Sequence, residues 1–404
     1  MLGPRMSTDI DQTTAPVALR RSLTFWPLLL YGLAVIVGAG IFVAIASVIE
    51  RVGPAAPLSF LLAGITAGLT GLCYAELSSR FPEAAGAAAF VKEGFGSDRA
   101  AQVTGVALTL AVAVAAASIA SGAVHYLSVF ISLPPAALIS WLVISFTFLA
   151  IAGVRESVLF AAAIGTVEIL GLVIAAWAGF LTAPSFEVGG MLPASAAAWQ
   201  GVVAGAFIAF FAFIGFESLV NMAEETKDPR RTVPYAIVGA ILVSTLLYVV
   251  VAASLVLSGR GGESPLLDLF QGSNARLFAV VGALAVANGV LVEIMMLARL
   301  FYGMAQRRQL PAALGRVNPR TQTPVEATAV AGGIVLVTAL LMPFEHLLAL
   351  ANALTLGIFA AVDIALWRIQ RQQPAGVGVF TVPRWIPLAG ATLSVGMIAV
   401  AAAS

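Results

Sequence analysis

The feature that most constrains this chain is the length of its uncharged apolar stretches. Thr24–Ile49 and Val233–Ser258 contain no Asp, Glu, Lys or Arg, and each exceeds the roughly 20 residues a helix needs to cross a bilayer core about 30 Å thick. Neither stretch carries a polar stripe, so neither is a surface helix of a water-soluble domain. Across the chain 60% of residues are hydrophobic and 10% charged, against about 25% charged in soluble domains. The formal charge of +1 argues against a nucleic-acid partner. Two histidines and the lone Cys73 leave no disulfide framework and almost nothing for a metal or redox centre, so no cofactor is expected. Met1–Arg21 is polar, with Asp9 and Asp11, and lacks the basic start, short apolar core and cleavage site of a secretory signal. It reads as a cytoplasmic tail, with Met6 as an alternative start.

Cutting the rest at proline, glycine and charge clusters predicts an all-α membrane protein of eleven helices. They fall near 24–49, 55–78, 100–131, 135–153, 157–181, 199–224, 232–258, 273–305, 325–342, 345–368 and 385–403. The third is long enough to require a tilt. Lys and Arg are retained in cytoplasmic loops. With the amino terminus inside, eighteen of the 21 basic residues fall on the cytoplasmic side and only Arg51, Arg260 and Arg276 outside. One miscounted span would scramble that bias, so it supports the count, and an odd count leaves the carboxyl terminus outside. The expected location is the inner (plasma) membrane of the cell.

Unpaired backbone groups are costly in hydrocarbon, so a spanning helix is broken only where the break lines a cavity or a neighbour repairs it. Two breaks are predicted: Gly38-Ala39-Gly40 within span one, and Phe213-Ile214-Gly215-Phe216-Glu217 within span six. Small residues packing two helices closely would also account for Gly38 and Gly40, but paired breaks five spans apart favour a site. Five is odd, so the second half would enter the membrane in the opposite sense. This gives a tail (1–23), a first five-helix repeat (24–181), an inverted second repeat (199–368) and an additional helix (385–403). In such transporters unwound helices build the substrate site at the midplane. Free amides at a half-helix amino end attract a carboxylate, and free carbonyls at a carboxyl end attract an ammonium group. An amino acid presents both.

Several segments resemble the amino acid–polyamine–organocation permeases. They are Val37-Gly38-Ala39-Gly40-Ile41-Phe42, Ala75-Glu76-Leu77 with Phe81 through Gly86, Ala212 through Glu217, Ala223 through Pro234, and Arg299 through Pro311 continuing to Thr323-Pro324. Together they run over nearly the whole chain. The resemblance implies a substrate carboxylate held by amides around Gly38, Ala39 and Gly40, and an ammonium group at carbonyls of Ile36, Phe211 and Ile214. Ile41 and Gly215, within the same motifs, complete the implied substrate-binding set. Phe211 takes the position of the family's aromatic gate, and Glu217 that of a glutamate linked to gating or proton coupling. Family members usually have twelve spans, whereas the match here extends through the eleventh.

Ionisable groups at membrane depth are functional candidates by default. Glu217 follows a break, where it is either a proton carrier or a static brace. Glu168, in mid-span five, lies where some family members carry a lysine; it could take a proton or a cation, or stay protonated and packed. Glu293 falls where some members place an aromatic residue against the substrate side chain, and an acid there would suit a basic substrate unless it packs away from the pocket. Asp363 reads as a snorkelling charge near the cytoplasmic surface. Glu76, Glu224 and Glu225 with Lys227 and Arg230 form a candidate cytoplasmic gate of salt bridges, or solvated loop charges. His125 and His346 have no metal-ligand partners at the right spacing, and no catalytic cluster is found.

The expected protein is therefore not an enzyme. It is a secondary transporter of amino acids working by alternating access, by proton-coupled symport or exchange, whose partners are a small-molecule substrate, H+ and the lipid bilayer. Its rivals are a polyamine or organic-cation exchanger and a non-transporting sensor on the same scaffold.

Overall fold

A computed structural model describes residues 23–82, 86–153, 158–184 and 189–403. The tail before Leu23, Glu83–Ala85 of the second-helix exit motif and Arg155 lie outside the described residues. Among the described residues eleven long helical elements follow in order, of which α9, at 17 residues, is the shortest: α1 Phe25–Val52, α2 Ala56–Arg80, α3 Asp98–Leu127, α4 Pro135–Ala152, α5 Val158–Thr182, α6 Ala196–Glu225, α7 Pro229–Leu257, α8 Ser273–Gln306, α9 Val325–Leu341, α10 Phe344–Gln372 and α11 Trp385–Ala403. All-helical architecture is what lipid demands, because a helix satisfies its backbone groups internally. Proline opens α4 and α7, where its missing N–H costs nothing, and Ser97 and Ser195 accept the Ala100 and Ala198 amides to cap α3 and α6.

Helix ends differ from expectation by up to four residues, and two differences concern the ends of α3. α3 is regular only to Gly122 and ends at Leu127 rather than 131, because Pro134-Pro135 begins the next helix and restricts the backbone before it. Between α2 and α3 the chain forms an extra short helix, Ala87–Phe95. Its buried residues Ala87, Phe90, Val91 and Gly94 recur at helical spacing, and they seat it on α3 and α10. Arg368 fixes it there, donating from Nε to the Gly94 carbonyl at 2.9 Å and lying over the Phe95 ring at 4.9 Å.

The packing places α1, α6, α3 and α8 around the centre. α1 lies against α6, α2 against α7, α3 against α8 and α4 against α9. α1 also packs on α5 and α7, and α6 on α10 and α2; α3 meets α9 and α10, while α8 meets α4 and α5. α11 sits at the side, against α2, α6 and α10. Several of these approaches depend on small residues. A side chain at Gly32 would strike Leu219, one at Gly171 would strike Val281, and one at Gly122 would strike Val43. Without a hydrophobic driving force between helices in lipid, such close van der Waals contact is what holds them together. The outward surface is apolar: Leu242 and Leu246 on α7 are both 67% exposed, which suits a face against lipid. Lys92, Arg299 and Arg307 lie together at one end of the bundle, termed the basic end below.

Candidate substrate site at two helix breaks

In α1 the backbone leaves helical geometry at Gly38 (φ −33°, ψ −138°). α6 is α-helical to Ala209, 3-10 helical over Phe210–Phe213, extended at Ile214 (ψ 136°), and 3-10 helical again over Phe216–Glu225. Between the halves Gly215 has φ 122°, a conformation open essentially to glycine. A Cβ there would also lie 2.7 Å from Val35 Cγ1 and 3.1 Å from the Val35 carbonyl oxygen. The breaks therefore face each other. Gly40 closes the same contact from the α1 side, where a Cβ would lie 2.8 Å from Ala212 Cα and 3.1 Å from the Phe211 oxygen.

The freed backbone groups are largely repaired by side chains. The buried Tyr248 hydroxyl on α7 lies 2.8 Å from the Ile36 carbonyl oxygen and 2.9 Å from that of Ala212. It has one proton to give, so it is shared between the carbonyls of the two broken helices. Asn352 on α10 donates to the Phe207 carbonyl at 2.8 Å, holding the upper half of α6. Glu217 Oε2 accepts the Gly215 amide at 2.8 Å, and Ser218 Oγ donates to the Gly215 carbonyl at 2.6 Å. Tyr248 and Asn352 were not foreseen as site residues; a lone polar group inside an apolar run was the available signal. Removing the hydroxyl in Tyr248→Phe leaves buried carbonyls short of a donor, at about 1–3 kcal/mol. A lower unfolding temperature in detergent is expected, with a fall in any uptake, and an unchanged unfolding temperature would count against the bridging role.

Between the breaks is a cavity of about 80 Å³. Of the expected substrate-binding residues, Ile36, Gly38, Ala39, Gly40, Phe211, Ile214, Gly215 and Glu293 line it. Ile41 does not: the helix that resumes after Gly38 carries its side chain into the surrounding packing, where it is fully buried. Asn288 on α8, also unforeseen, contributes an amide to the lining. Glu293 Oε2 is buried with no hydrogen-bond partner among the described residues.

The cavity shares Tyr31, Val35, Ala115, Gly215 and Glu293 with a vestibule of about 1410 Å³ that reaches Lys92, Arg299 and Arg307. Glu217 lines the vestibule. The site is thus open toward the basic end. Beyond Gly38 along α1, Tyr126 donates to the Phe42 carbonyl at 3.0 Å, their rings are 5.9 Å apart, and Phe278 stacks on Phe270 at 4.8 Å.

The charged residues at the basic end are arranged differently from the expected gate. Glu76 is fully buried, with Oε1 2.6 Å from Arg80 and Oε2 accepting from Gln370 at 2.8 Å and from the Val382 amide at 2.7 Å. It joins α2 to α10 and the segment before α11, and its charge is matched within α2 rather than by Lys227 or Arg230. Glu224, Lys227 and Arg230 are exposed and Glu225 half-buried, and no ion pair joins any of these four among the described residues. Asp363 is also corrected. It does not snorkel but is fully buried, accepting from Thr70 at 2.9 Å and packing against Gly390 of α11, where a side chain would strike its carboxylate. Glu168 lies behind the α1 break, buried on the α5 side.

Apolar helices in a bundle, two of them unwound against one central cavity, define a multi-pass membrane protein of the broken-helix transporter class. The chain belongs to the amino acid permease family, whose family model matches residues 23–403. Among its relatives is the vacuolar cationic amino acid transporter 4 of Arabidopsis thaliana, 28% identical over 92% of this chain and 67% of the relative. The mitochondrial cationic amino acid transporter 3 of the same plant is 30% identical over 86% of this chain and 62% of the relative. The chain thus spans about two thirds or less of the length of these plant proteins. A branched-chain amino acid permease of Bacillus subtilis is 28% identical over 90% of this chain and 84% of the relative. These relatives are named as transporters and permeases, and the chain is not an enzyme.

Proposed function

We propose that the protein moves amino acids across its membrane by alternating access, driven by a proton gradient or by exchange against a second solute. The observation that carries this reading is the meeting of the two breaks, Gly38–Gly40 and Ile214–Gly215, in one buried cavity. The amides after Gly38 would take the substrate carboxylate, and the carbonyls of Ile36, Phe211 and Ile214 its ammonium group. The Ile36 oxygen keeps a second lone pair beside its bond to Tyr248. Two inverted halves are supported by the packing: exchanging each helix of α1–α5 with the fifth one after it turns α1 on α7 into α6 on α2, and α3 on α10 into α8 on α5. The basic end is cytoplasmic by the retention of Lys and Arg there. The conformation described is then inward-open, and the bacterial relative supports a plasma-membrane location.

Uptake of labelled amino acids into proteoliposomes tests the reading. Saturable accumulation that rises with an inward proton gradient or with preloaded amino acid is expected. Binding without flux would replace the transporter with a sensor on the same scaffold. A cationic substrate is the second reading, favoured by the unpartnered Glu293 carboxylate in the cavity wall and by the cationic transporters among the relatives.

A further inference from the structure

The loop joining α8 to α9, residues 307–324, carries Arg307, Arg308, Arg316 and Arg320 and no Asp or Glu; the next acid is Glu326, in the first turn of α9. All four arginines are exposed, and none is in an ion pair among the described residues. Other basic residues at this end are placed differently. Arg80, Arg368, Arg371 and Arg384 each have a carboxylate, carbonyl or aromatic partner, and Lys92 pairs with Asp98. Arg99 follows Asp98, and Lys227, Arg230 and Arg231 flank Asp228. Retention of cations on one side of a membrane explains how many a loop holds and asks nothing of its shape.

Here the shape is fixed. α8 ends in a Schellman motif: the Gln309 amide donates to the Met304 carbonyl at 2.9 Å, and the Arg308 amide to that of Ala305 at 3.0 Å. The motif holds Arg308 at φ 59°, a left-handed conformation for which glycine is the usual residue. The short helix Ala87–Phe95 and α4 also end in a left-handed residue, and there it is glycine, Gly96 and Gly153. Backbone strain of the kind Arg308 carries gathers at functional sites. Gln306 donates from Nε2 to the Gly315 carbonyl at 3.0 Å, which returns the chain to the end of α8 and sets Arg316 beside Arg307 and Arg308. Asn318 closes the next turn, its Oδ1 accepting the Arg320 amide at 2.9 Å and its own amide donating to the Thr323 carbonyl at 3.0 Å. The Thr323 hydroxyl donates in turn to the Ile151 carbonyl of α4 at 2.9 Å. Val317, between the arginines, is 47% exposed.

We propose that this loop is a binding site for the phosphate head group of an anionic phospholipid in the leaflet at the basic end. A guanidinium stays charged at any cellular pH and presents a planar fork of donors that matches phosphate oxygens. With no acid in the loop, its charge is met from outside. The loop joins two membrane helices and so lies at head-group level, where basic clusters attract anionic lipid. Val317 favours a lipid over free phosphate, because acyl chains would cover an apolar side chain that phosphate leaves in water. Lipid held here would fasten α8, which carries Asn288 and Glu293 of the cavity wall, to the membrane surface.

The test titrates purified protein in detergent with dioctanoyl phosphatidylglycerol and follows the unfolding temperature, which rises with a ligand that binds the folded state. Dioctanoyl phosphatidylcholine and inorganic phosphate are the comparisons. A rise with phosphatidylglycerol and none with the other two is expected. Each arginine near an anionic surface is worth about fivefold in affinity, so Arg316→Gln combined with Arg320→Gln should weaken phosphatidylglycerol binding roughly twentyfold. Arg99→Gln combined with Arg231→Gln removes as much exposed charge from the same end and should leave that binding unchanged. Arg308→Gly should raise the unfolding temperature without lipid, by relieving the left-handed arginine, and yet weaken lipid binding about fivefold. A merely structural arginine would not give those opposite changes. Equal stabilisation by phosphatidylcholine, equal losses in the two double variants, or full binding in Arg308→Gly would overturn the proposal. A response to inorganic phosphate as large as that to phosphatidylglycerol would also overturn it, replacing the lipid with a free anion.

Discussion

Gly40→Ala should fold and yet transport about a hundredfold more slowly than wild type, the order of loss that a displacement near 1 Å brings to a preorganised site. A methyl group at Gly40 would lie 2.8 Å from Ala212 Cα and 3.1 Å from the Phe211 oxygen. Both are backbone atoms, so no flexible side chain can swing aside and the two broken helices must separate. Overpacking of this kind costs about 1–3 kcal/mol, which a bundle of this size survives, but the strain falls on the cavity wall itself. Gly68→Ala on α2 is the control, because nothing lies within 4 Å of a Cβ at that position. It should transport normally and gain about 0.5–1 kcal/mol of helix stability. Initial uptake rates, with gel filtration to verify folding, decide the matter; equal rates for the two variants would show that the contact between the breaks is dispensable.

Glu293→Gln should change which substrates are taken. Its carboxylate forms part of the cavity wall and has an oxygen with no partner among the described residues. A cationic side chain 4 Å away at an effective dielectric near 20 gains about 4 kcal/mol. Partial desolvation reduces this, so a loss of roughly tenfold to a hundredfold in affinity for lysine or arginine is expected. Neutral substrates should be little affected, since glutamine keeps the shape and gives up the charge. Competition of unlabelled basic and neutral amino acids against one labelled substrate measures the ratio. An equal loss for both classes would make Glu293 a structural carboxyl.

The membrane spans and the positions of the breaks were legible because lipid imposes them one helix at a time. Apolar length reports a span, and Gly38-Ala39-Gly40 and Ile214-Gly215 report sites where a regular helix would be hard to keep. Glu293 could be placed through the family resemblance, by counting back from Gln309-Leu310-Pro311. What escaped depends on a second helix. Tyr248 matters because the carbonyls of Ile36 and Ala212 both come within reach of it, and Asn352 because Phe207 does. The same reason separates Glu76 from its expected gate partners: Gln370 and Val382 are remote in sequence and reach it only in the folded bundle. Asp363 was placed at the surface because Thr70 and Gly390, which bury it, lie on α2 and α11. Ala87–Phe95 shows a helical apolar pattern but is too short to register as a span.

The lower half of α6 is ten residues of 3-10 helix, Phe216–Glu225, where such runs rarely exceed three or four. A 3-10 helix climbs about 2.0 Å per residue and an α-helix 1.5 Å, so these residues cover roughly 20 Å instead of 15. The overdrawn segment brings Glu225 far enough to meet the start of α1, where the Leu23 amide donates to the Glu225 carbonyl at 3.0 Å and the Lys227 amide to the Leu23 carbonyl at 2.8 Å. Wound as an α-helix from the same break, the segment would stop about 5 Å short of that clasp. The pitch of one half-helix thus sets whether the two broken helices are fastened to each other at the membrane surface as well as at its centre.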